Sequence, residues 1–210
     1  MTVAADQSLD KHVSSVCKTY FFWLRQLRRV SHSLDTESLK TLVHAFVASC
    51  VDYCNSVPAS SSKMITDELQ QVLNAPARLI SGTAKYDRGL SRLLHDELHW
   101  LDIPQRVQYK LSVTIHRCLK SQAPTYLADH CISNSEFAGR QHLLSARHQQ
   151  LNVPCVRRVI GCRTFASAGQ TVWNSLPDNL CDSIVRLYQF QRELKTHLFA
   201  CLLNTLSTVH

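Results

Sequence analysis

The sequence predicts a mainly α-helical protein, in which a helical bundle is followed by a second helical unit with an extended, basic insert containing short strands. Apolar residues recur every three or four positions through most of the chain, which is the period of one helix face. Helix-breaking residues are scarce, with 5 glycines and 6 prolines among 210 residues. With 45% hydrophobic residues, the chain can bury one substantial core or two small ones.

Three long helices are predicted in the first 82 residues. The first extends from an N-cap at Asp10 to Val30, and the second begins at Asp35. The third ends near Gly82, because glycine commonly follows the last helical residue. Their apolar faces contain, in order, Val13, Val16, Tyr20, Leu24 and Leu27, then Leu39, Leu42, Val43, Phe46, Val47 and Cys50, then Ile65, Leu69, Val72, Leu73, Leu79 and Ile80.

Pro76 lies inside the third helical pattern. An interior proline removes one backbone donor and clashes with the preceding turn, which costs about 3 kcal/mol. The sequence therefore predicts a kink or a break near residues 72–76.

Shorter elements follow. Pro104 suits the first turn of a helix, and Pro124 begins another short one. The final helix is expected to be capped by Asp182 or Ser183. The expected elements are a helix over 89–99, a helix over 104–120 with Val107, Leu111, Ile115, Cys118 and Leu119 facing inward, a short helix from Pro124, an extended segment over 151–156, a short helix over 164–175, and a last helix containing Val185, Leu187, Phe190, Leu194 and Leu198.

The pattern predicts two domains. The first is a helical bundle over residues 1–82, and the second is a helical unit over residues 83–205. The second carries the basic, extended insert at about 134–164, where the helical period is lost.

The nine cysteines favour reduced thiols. Their number is odd, no CxxC pair occurs, and the N-terminus lacks the basic and apolar regions of a secretory signal. We therefore expect a cytoplasmic or nuclear protein that is not secreted. Cys50 and Cys54, one helical turn apart, are interpreted as small buried apolar residues and not as a metal pair.

Positive charge is concentrated in the second half of the chain. Residues 1–105 carry 11 basic and 11 acidic side chains, whereas residues 106–210 carry 12 and 5. A basic stretch without acids is typical of a surface that binds polyanions, although a solvated surface without a partner has the same composition. Between Phe137 and Pro177 there is no acid, and the arginines are Arg140, Arg147, Arg157, Arg158 and Arg163.

Motifs for common catalytic chemistry are missing from the sequence. It contains no phosphate-binding glycine loop and no G-x-S-x-G nucleophile turn. It also has no adjacent pair of aspartates, which a two-metal polymerase site would need. We therefore expect no enzyme activity, no cofactor, no metal site and no small-molecule substrate.

For two features, a pair of histidines and a pair of tryptophans, we interpret the residues as structural and not as functional. His95 and His99 in HDELH have the i, i+4 spacing of two zinc ligands, but the residue after the first histidine is Asp96 and not glutamate. Trp100 and Trp173 could stack on bases. Each lies among aliphatic residues, so both are expected to anchor the core.

Several fragments resemble one family in their order and spacing. They are HVSSVCKTYFFWLRQL, LVHAFVASCVDYCNS, LSRLLHDELHWLDIPQRVQYKL, APTYLADHC and GQTVWNSLPDNL. Together they resemble the C-terminal end of the reverse transcriptase of LINE-type, non-LTR retrotransposons of the chicken-repeat/jockey-like group. The resemblance extends from about Leu9 to Phe199.

The resemblance implies the thumb and tail of an RNA-directed DNA polymerase, without the palm and its metal-binding aspartates. It implies nonspecific binding of RNA or an RNA–DNA hybrid. Arg25, Arg28 and Arg29 would lie along a duplex in the manner of a thumb. The candidate nucleic-acid-binding residues are Arg25, Arg28, Arg29, Arg140, Arg147, Arg157, Arg158 and Arg163.

The chain departs from the family pattern where arginine or proline is usual. Gln141, Cys155 and Cys162 replace arginine, and Gln170 replaces proline. The lost arginines leave a weaker basic surface. Two alternatives therefore stay open, an inert relic and a protein-interaction or scaffold module that uses an exposed apolar helix face. A module of that kind would associate with itself or with an intact polymerase, and no membrane partner is expected.

Overall fold

The computed structural model describes residues 3–54, 63–82, 89–134, 150–154, 165–182 and 185–207. These residues are mainly helical, which confirms the predicted fold class, and within these ranges no strand is formed. None of the described helices combines the length and the apolar composition that a bilayer crossing requires.

The chain divides into two compact units, residues 1–106 and 107–210. This division falls later than the predicted boundary after residue 82, because Leu94, Trp100 and Ile103 join the core of the first unit. The first unit contains, in order, α1 (Val3–Val30), a 3₁₀ turn (Ser31–Ser33), α2 (Thr36–Cys54), α3 (Lys63–Ser81), α4 (Leu90–Arg92), a π-turn (Leu93–Glu97) and the start of α5 (Ile103–Leu119).

The first unit is built around α3, which packs against both α1 and α2. The predicted apolar faces supply most of the core, whose most deeply buried side chains include Val13, Tyr20, Val43, Val47, Leu69, Leu73 and Ala77. The Tyr20 ring stacks on Phe46, with 4.7 Å between the ring centroids. One boundary was wrong, since α1 begins at Val3 and not after an N-cap at Asp10.

Asp35, where the second helix is predicted to start, is the N-cap of α2. Its carboxylate oxygen Oδ2 accepts a hydrogen bond from the backbone N–H of Ser38 at 3.0 Å, which satisfies one of the free donors at the helix start. Hydrogen bonds from the Ser38 side chain and backbone lower the pKa of Asp35 below its ordinary value of 3.8. The charged carboxylate therefore stabilises the folded state above pH 3.8, and this stabilisation is lost as the pH falls through the lowered pKa.

Asp35→Asn is expected to flatten the acid limb of the stability profile. Asparagine is an equally good N-cap but does not titrate, so the variant keeps the cap without its dependence on pH. The measurement is the melting temperature of both proteins from neutral pH to below 3.8, the ordinary pKa of Asp35. Parallel curves for the two proteins over the whole range would show that the carboxylate charge contributes nothing.

The predicted break at Pro76 is wrong, because α3 continues through the proline to Ser81. Pro76 is itself buried, and Leu73 and Ala77 beside it have no exposed surface. Packing against α1 and α2 on both sides of the proline therefore outweighs the lost backbone hydrogen bond. A kink in this helix stays a prediction.

A side-chain network joins α3 to the start of α5. Gln70 donates to the Asp102 carboxylate at 2.8 Å and accepts from the backbone N–H of Ile103 at 3.0 Å. It therefore satisfies one of the free donors at the first turn of α5. Pro104 lies in that turn, where its missing N–H costs nothing.

The described part of the second unit contains three short elements and one long helix after α5, and two predictions about this unit were wrong. Its last helix begins at Leu187, so neither Asp182 nor Ser183 is its cap. Leu119 is 39% exposed and does not face inward. After α5 the described elements are α6 (Thr125–Ala128), a π-turn (Phe165–Gly169), α7 (Gln170–Asn174) and α8 (Leu187–Ser207).

Phe190 of α8 is the centre of the second unit's core. The side chain has no exposed surface, and its ring stacks on His116 with 4.4 Å between centroids. The Trp173 ring lies 5.9 Å away. His116 Nε2 donates to the carbonyl of Val185 at 3.1 Å, and burial lowers the pKa of His116. The ring is therefore a neutral member of the core.

The extended segment predicted near residue 151 forms one antiparallel bridge, between Leu151 and Ser133. The amide of Asn174 fixes it to α7, because both its polar atoms bond to the backbone of Leu151 at 2.8 Å. Most of the predicted insert at 134–164 lies outside the described residues, so its short strands stay a prediction.

Candidate nucleic-acid interface

Arg25, Arg28 and Arg29 occupy the last two turns of α1, and all three are exposed. None of them forms an ion pair with a residue that the structure describes. Cations at a helix C-terminus also interact favourably with the helix dipole. Their placement therefore has a local benefit and leaves the charges available to an external anion.

A cleft of about 700 Å³ opens beside this end of α1. Arg25 and Arg28 line it, and so do His32 from the following 3₁₀ turn and Arg78 from α3. The described lining contains no acidic side chain. Arg29 is exposed but does not line the cleft, so the structure brings together two of the three predicted thumb arginines.

The ends of two helices produce this arrangement. Arg25 and Arg28 are three residues apart and so lie on the same face of α1. The hydroxyl of Ser31 donates to the Arg28 carbonyl at 2.8 Å at the point where α1 ends. On the other side, α3 ends at Ser81, and Gly82 follows with φ +66°, a conformation that favours glycine.

The floor of the cleft is apolar. Phe21 and Leu24 of α1, Leu39 of α2 and Leu79 and Ile80 of α3 line it beside the cations. Except for the buried Leu39, these side chains are only half-buried, although they pack against the core. The cleft thus combines cationic groups with an accessible hydrophobic surface.

The remaining candidate arginines lie outside the described residues. They are Arg140, Arg147, Arg157, Arg158 and Arg163, in the ranges 135–149 and 155–164. Their role as a track for single-stranded RNA stays a prediction.

Both tryptophans considered as base platforms are core residues, as predicted. Trp100 is 3% exposed and Trp173 is 1% exposed. Trp100 Nε1 donates to His44 Nδ1 at 3.2 Å. A buried indole offers no face to a nucleic-acid base, so stacking on either residue is excluded.

The HDELH segment does not present two histidines on one helix face. The π-turn ends at Glu97, and His99 follows with φ +50°. His95 is buried, and its Nδ1 lies 2.9 Å from the Trp100 carbonyl, to which it donates. His95 is therefore a core residue, whereas His99 is exposed. Among the described residues, no three or more potential ligands form a group that could hold a metal ion.

The described cysteines include two thiols with strongly raised pKa values. Burial raises the pKa of Cys131 to about 12 and that of Cys181 to about 11. Burial also raises the pKa of Cys118, whose thiol interacts with that of Cys131. These groups are protonated at neutral pH, so they are poor nucleophiles.

Alkylation with iodoacetamide at neutral pH is expected to modify the exposed Cys201 at least about tenfold faster than Cys131 or Cys181. The rates at Cys131, which is half-buried, and at Cys181, which is buried, should rise only as the pH approaches their raised pKa values. Peptide mapping by mass spectrometry separates the sites, and the same reaction in denaturant should abolish the difference. Equal labelling of Cys181 and Cys201 in the folded protein would contradict the burial described above.

Two features of this region are not predicted from the sequence. His32 and Arg78 were not candidates, because each is a single cation that joins Arg25 and Arg28 only in three dimensions. The second feature is a smaller groove between α1 and α2, lined by Trp23, Leu27, Val30, Leu42 and Phe46 with Gln26. The helical period placed Leu27, Leu42 and Phe46 on core faces but gave no sign that they border an open groove.

No family model matches the chain, and neither a curated protein nor a solved structure shows detectable similarity to it.

Proposed function

We propose that the chain is the thumb and C-terminal tail of a LINE-type reverse transcriptase, and that it binds RNA or RNA–DNA hybrids without sequence specificity. No polymerase chemistry is assigned to these residues. The order and spacing of the sequence fragments support the family origin. The observation that supports binding is the cleft that gathers Arg25, Arg28, His32 and Arg78.

Phosphate groups suit this cleft for two reasons. Guanidinium groups make paired, charge-assisted hydrogen bonds to phosphate oxygens. Arg25, Arg28 and Arg78 have no acidic partner among the described residues, so binding does not require breaking an ion pair there. Such contacts are independent of base sequence, which accounts for the proposed lack of specificity.

The experiment is binding of the monomeric full chain to a labelled RNA hairpin and to an RNA–DNA hybrid at about 50 and 200 mM salt. Each phosphate contact releases counterions, so affinity should fall steeply between these concentrations. If the protein shows a helical circular dichroism spectrum and still does not bind at the lower salt concentration, the proposal is wrong.

A protein-interaction module is the second candidate, and the α1–α2 groove favours it. Trp23 and Val30 on α1 are 54% and 51% exposed, and Leu42 on α2 is 46% exposed. Exposed apolar surface of this kind is typical of a protein interface. Self-association or binding to an intact polymerase would follow. Apolar association persists at high salt, so the same salt series distinguishes the two candidates.

A further inference from the structure

The cleft next to α1 has an apolar floor that the proposed phosphate contacts do not require. A surface that only neutralises phosphates needs cations held at the protein surface. Here the cations border an apolar floor of Phe21, Leu24, Leu79 and Ile80. A partner that uses the whole cleft therefore has an anionic part and a flat or apolar part.

We propose that this cleft binds single-stranded nucleic acid, with an unpaired base on the apolar floor and its neighbouring phosphates on Arg25, Arg28 and Arg78. The proposal rests on the proposed function and specifies its ligand. The floor includes the half-buried ring of Phe21, and aromatic rings hold bases of any sequence by stacking. Arginine on the rim adds both charge and a planar group.

A duplex satisfies the cleft less well than a single strand. In a duplex the bases are paired and stacked inside, so the protein meets phosphates and groove edges. The arginines would then contact phosphates, while Phe21 and Leu79 would remain exposed to water. A single strand removes this apolar surface from water and still offers its phosphates, and the cleft volume of about 700 Å³ is sufficient for a base with its sugar-phosphate.

The test compares ligands of equal charge that differ in their bases. The full chain is titrated with a single-stranded RNA of about 12 nucleotides, with an abasic sugar-phosphate strand of the same length, and with a blunt RNA duplex. The base-containing strand is expected to bind about tenfold more tightly than the abasic strand, because stacking on a protein aromatic ring contributes at this level. The duplex should bind less tightly than the base-containing strand of equal charge, because its bases are not free to stack on the floor.

Ala75→Leu supplies a variant that fills the cleft without changing its charge. Ala75 lines the cleft on α3, and leucine is a good helix former, so the variant should fold. Affinity for the base-containing strand is expected to fall about tenfold, to that of the abasic strand. Affinity for the abasic strand should be unchanged. Ala45→Leu on the exposed side of α2 is the matched control, since Ala45 does not line the cleft.

The outcomes separate this inference from the proposed function. Equal affinity for the base-containing and abasic strands, or equal effects of Ala75→Leu on both, would overturn the base site and leave charge-based binding in place. Failure of all three ligands to bind at low salt would remove the proposed function and this inference with it. Tighter binding of the duplex than of the single strand would also overturn the inference.

Discussion

Phe190→Ala is expected to destabilise the second unit by about 3–5 kcal/mol, the range for truncating a fully buried phenylalanine. The side chain has no exposed surface and stacks on His116 and next to Trp173, so its removal leaves a cavity among aromatic rings. A whole domain is commonly stable by only about 5–15 kcal/mol. Chemical denaturation followed by circular dichroism and by tryptophan fluorescence measures the loss.

Tyr188→Ala is the matched control for this variant. Tyr188 lies on the same helix, two residues away, and is 76% exposed. Its truncation should change the free energy of unfolding by less than about 0.5 kcal/mol, as is usual for surface positions. Similar losses in the two variants would mean that α8 does not bury Phe190 in solution.

The triple variant Arg25→Gln, Arg28→Gln, Arg78→Gln is expected to weaken RNA binding about tenfold or more at about 50 mM salt. Each phosphate contact to a single strand contributes about 0.7 to the slope of log affinity against log salt, so the slope should become shallower by about two. Fluorescence anisotropy over a salt series gives both quantities. Glutamine removes the charge and has a helix propensity close to that of arginine, so the helices should persist.

Lys11→Gln, Lys18→Gln, Lys63→Gln is the control with the same loss of charge. These lysines are exposed on α1 and α3, the two helices that carry the arginines, but they do not line the cleft. If the cleft is the binding site, the control should lose little affinity and keep most of the salt slope. An equal loss of affinity in both triple variants would show that only net charge matters, and it would contradict the proposal that RNA binds at the cleft.

Helical periodicity was a reliable guide to the first unit because its apolar positions follow one face of each helix. Val13, Tyr20, Val43 and Leu73 were all assigned to the core by spacing alone, and all are buried. Propensity failed where tertiary packing opposed it. The break predicted near Pro76 does not occur, because burial on both sides of the proline carries α3 on to Ser81.

The candidate site was predictable only in part, for a geometrical reason. Arg25 and Arg28 are close in sequence, so a helix pattern brings them together. Arg78 is 50 positions further on, and its arrival at the same cleft depends on how α3 packs against α1. The π-turn after α4 could not be predicted either, because no residue in HDELH indicates the turn that directs His95 inward.

The two π-turns, Leu93–Glu97 and Phe165–Gly169, change the number of residues in a helical turn as well as its geometry. A π-turn holds one residue more than the α-helical turn it replaces, as the hydrogen bond from Leu98 N–H to the Leu93 carbonyl shows. Deleting one residue inside either turn would restore an ordinary helical repeat. A chain that is one residue shorter inside one of these turns can therefore keep the same helices, with the gap in the turn and not in a neighbouring loop.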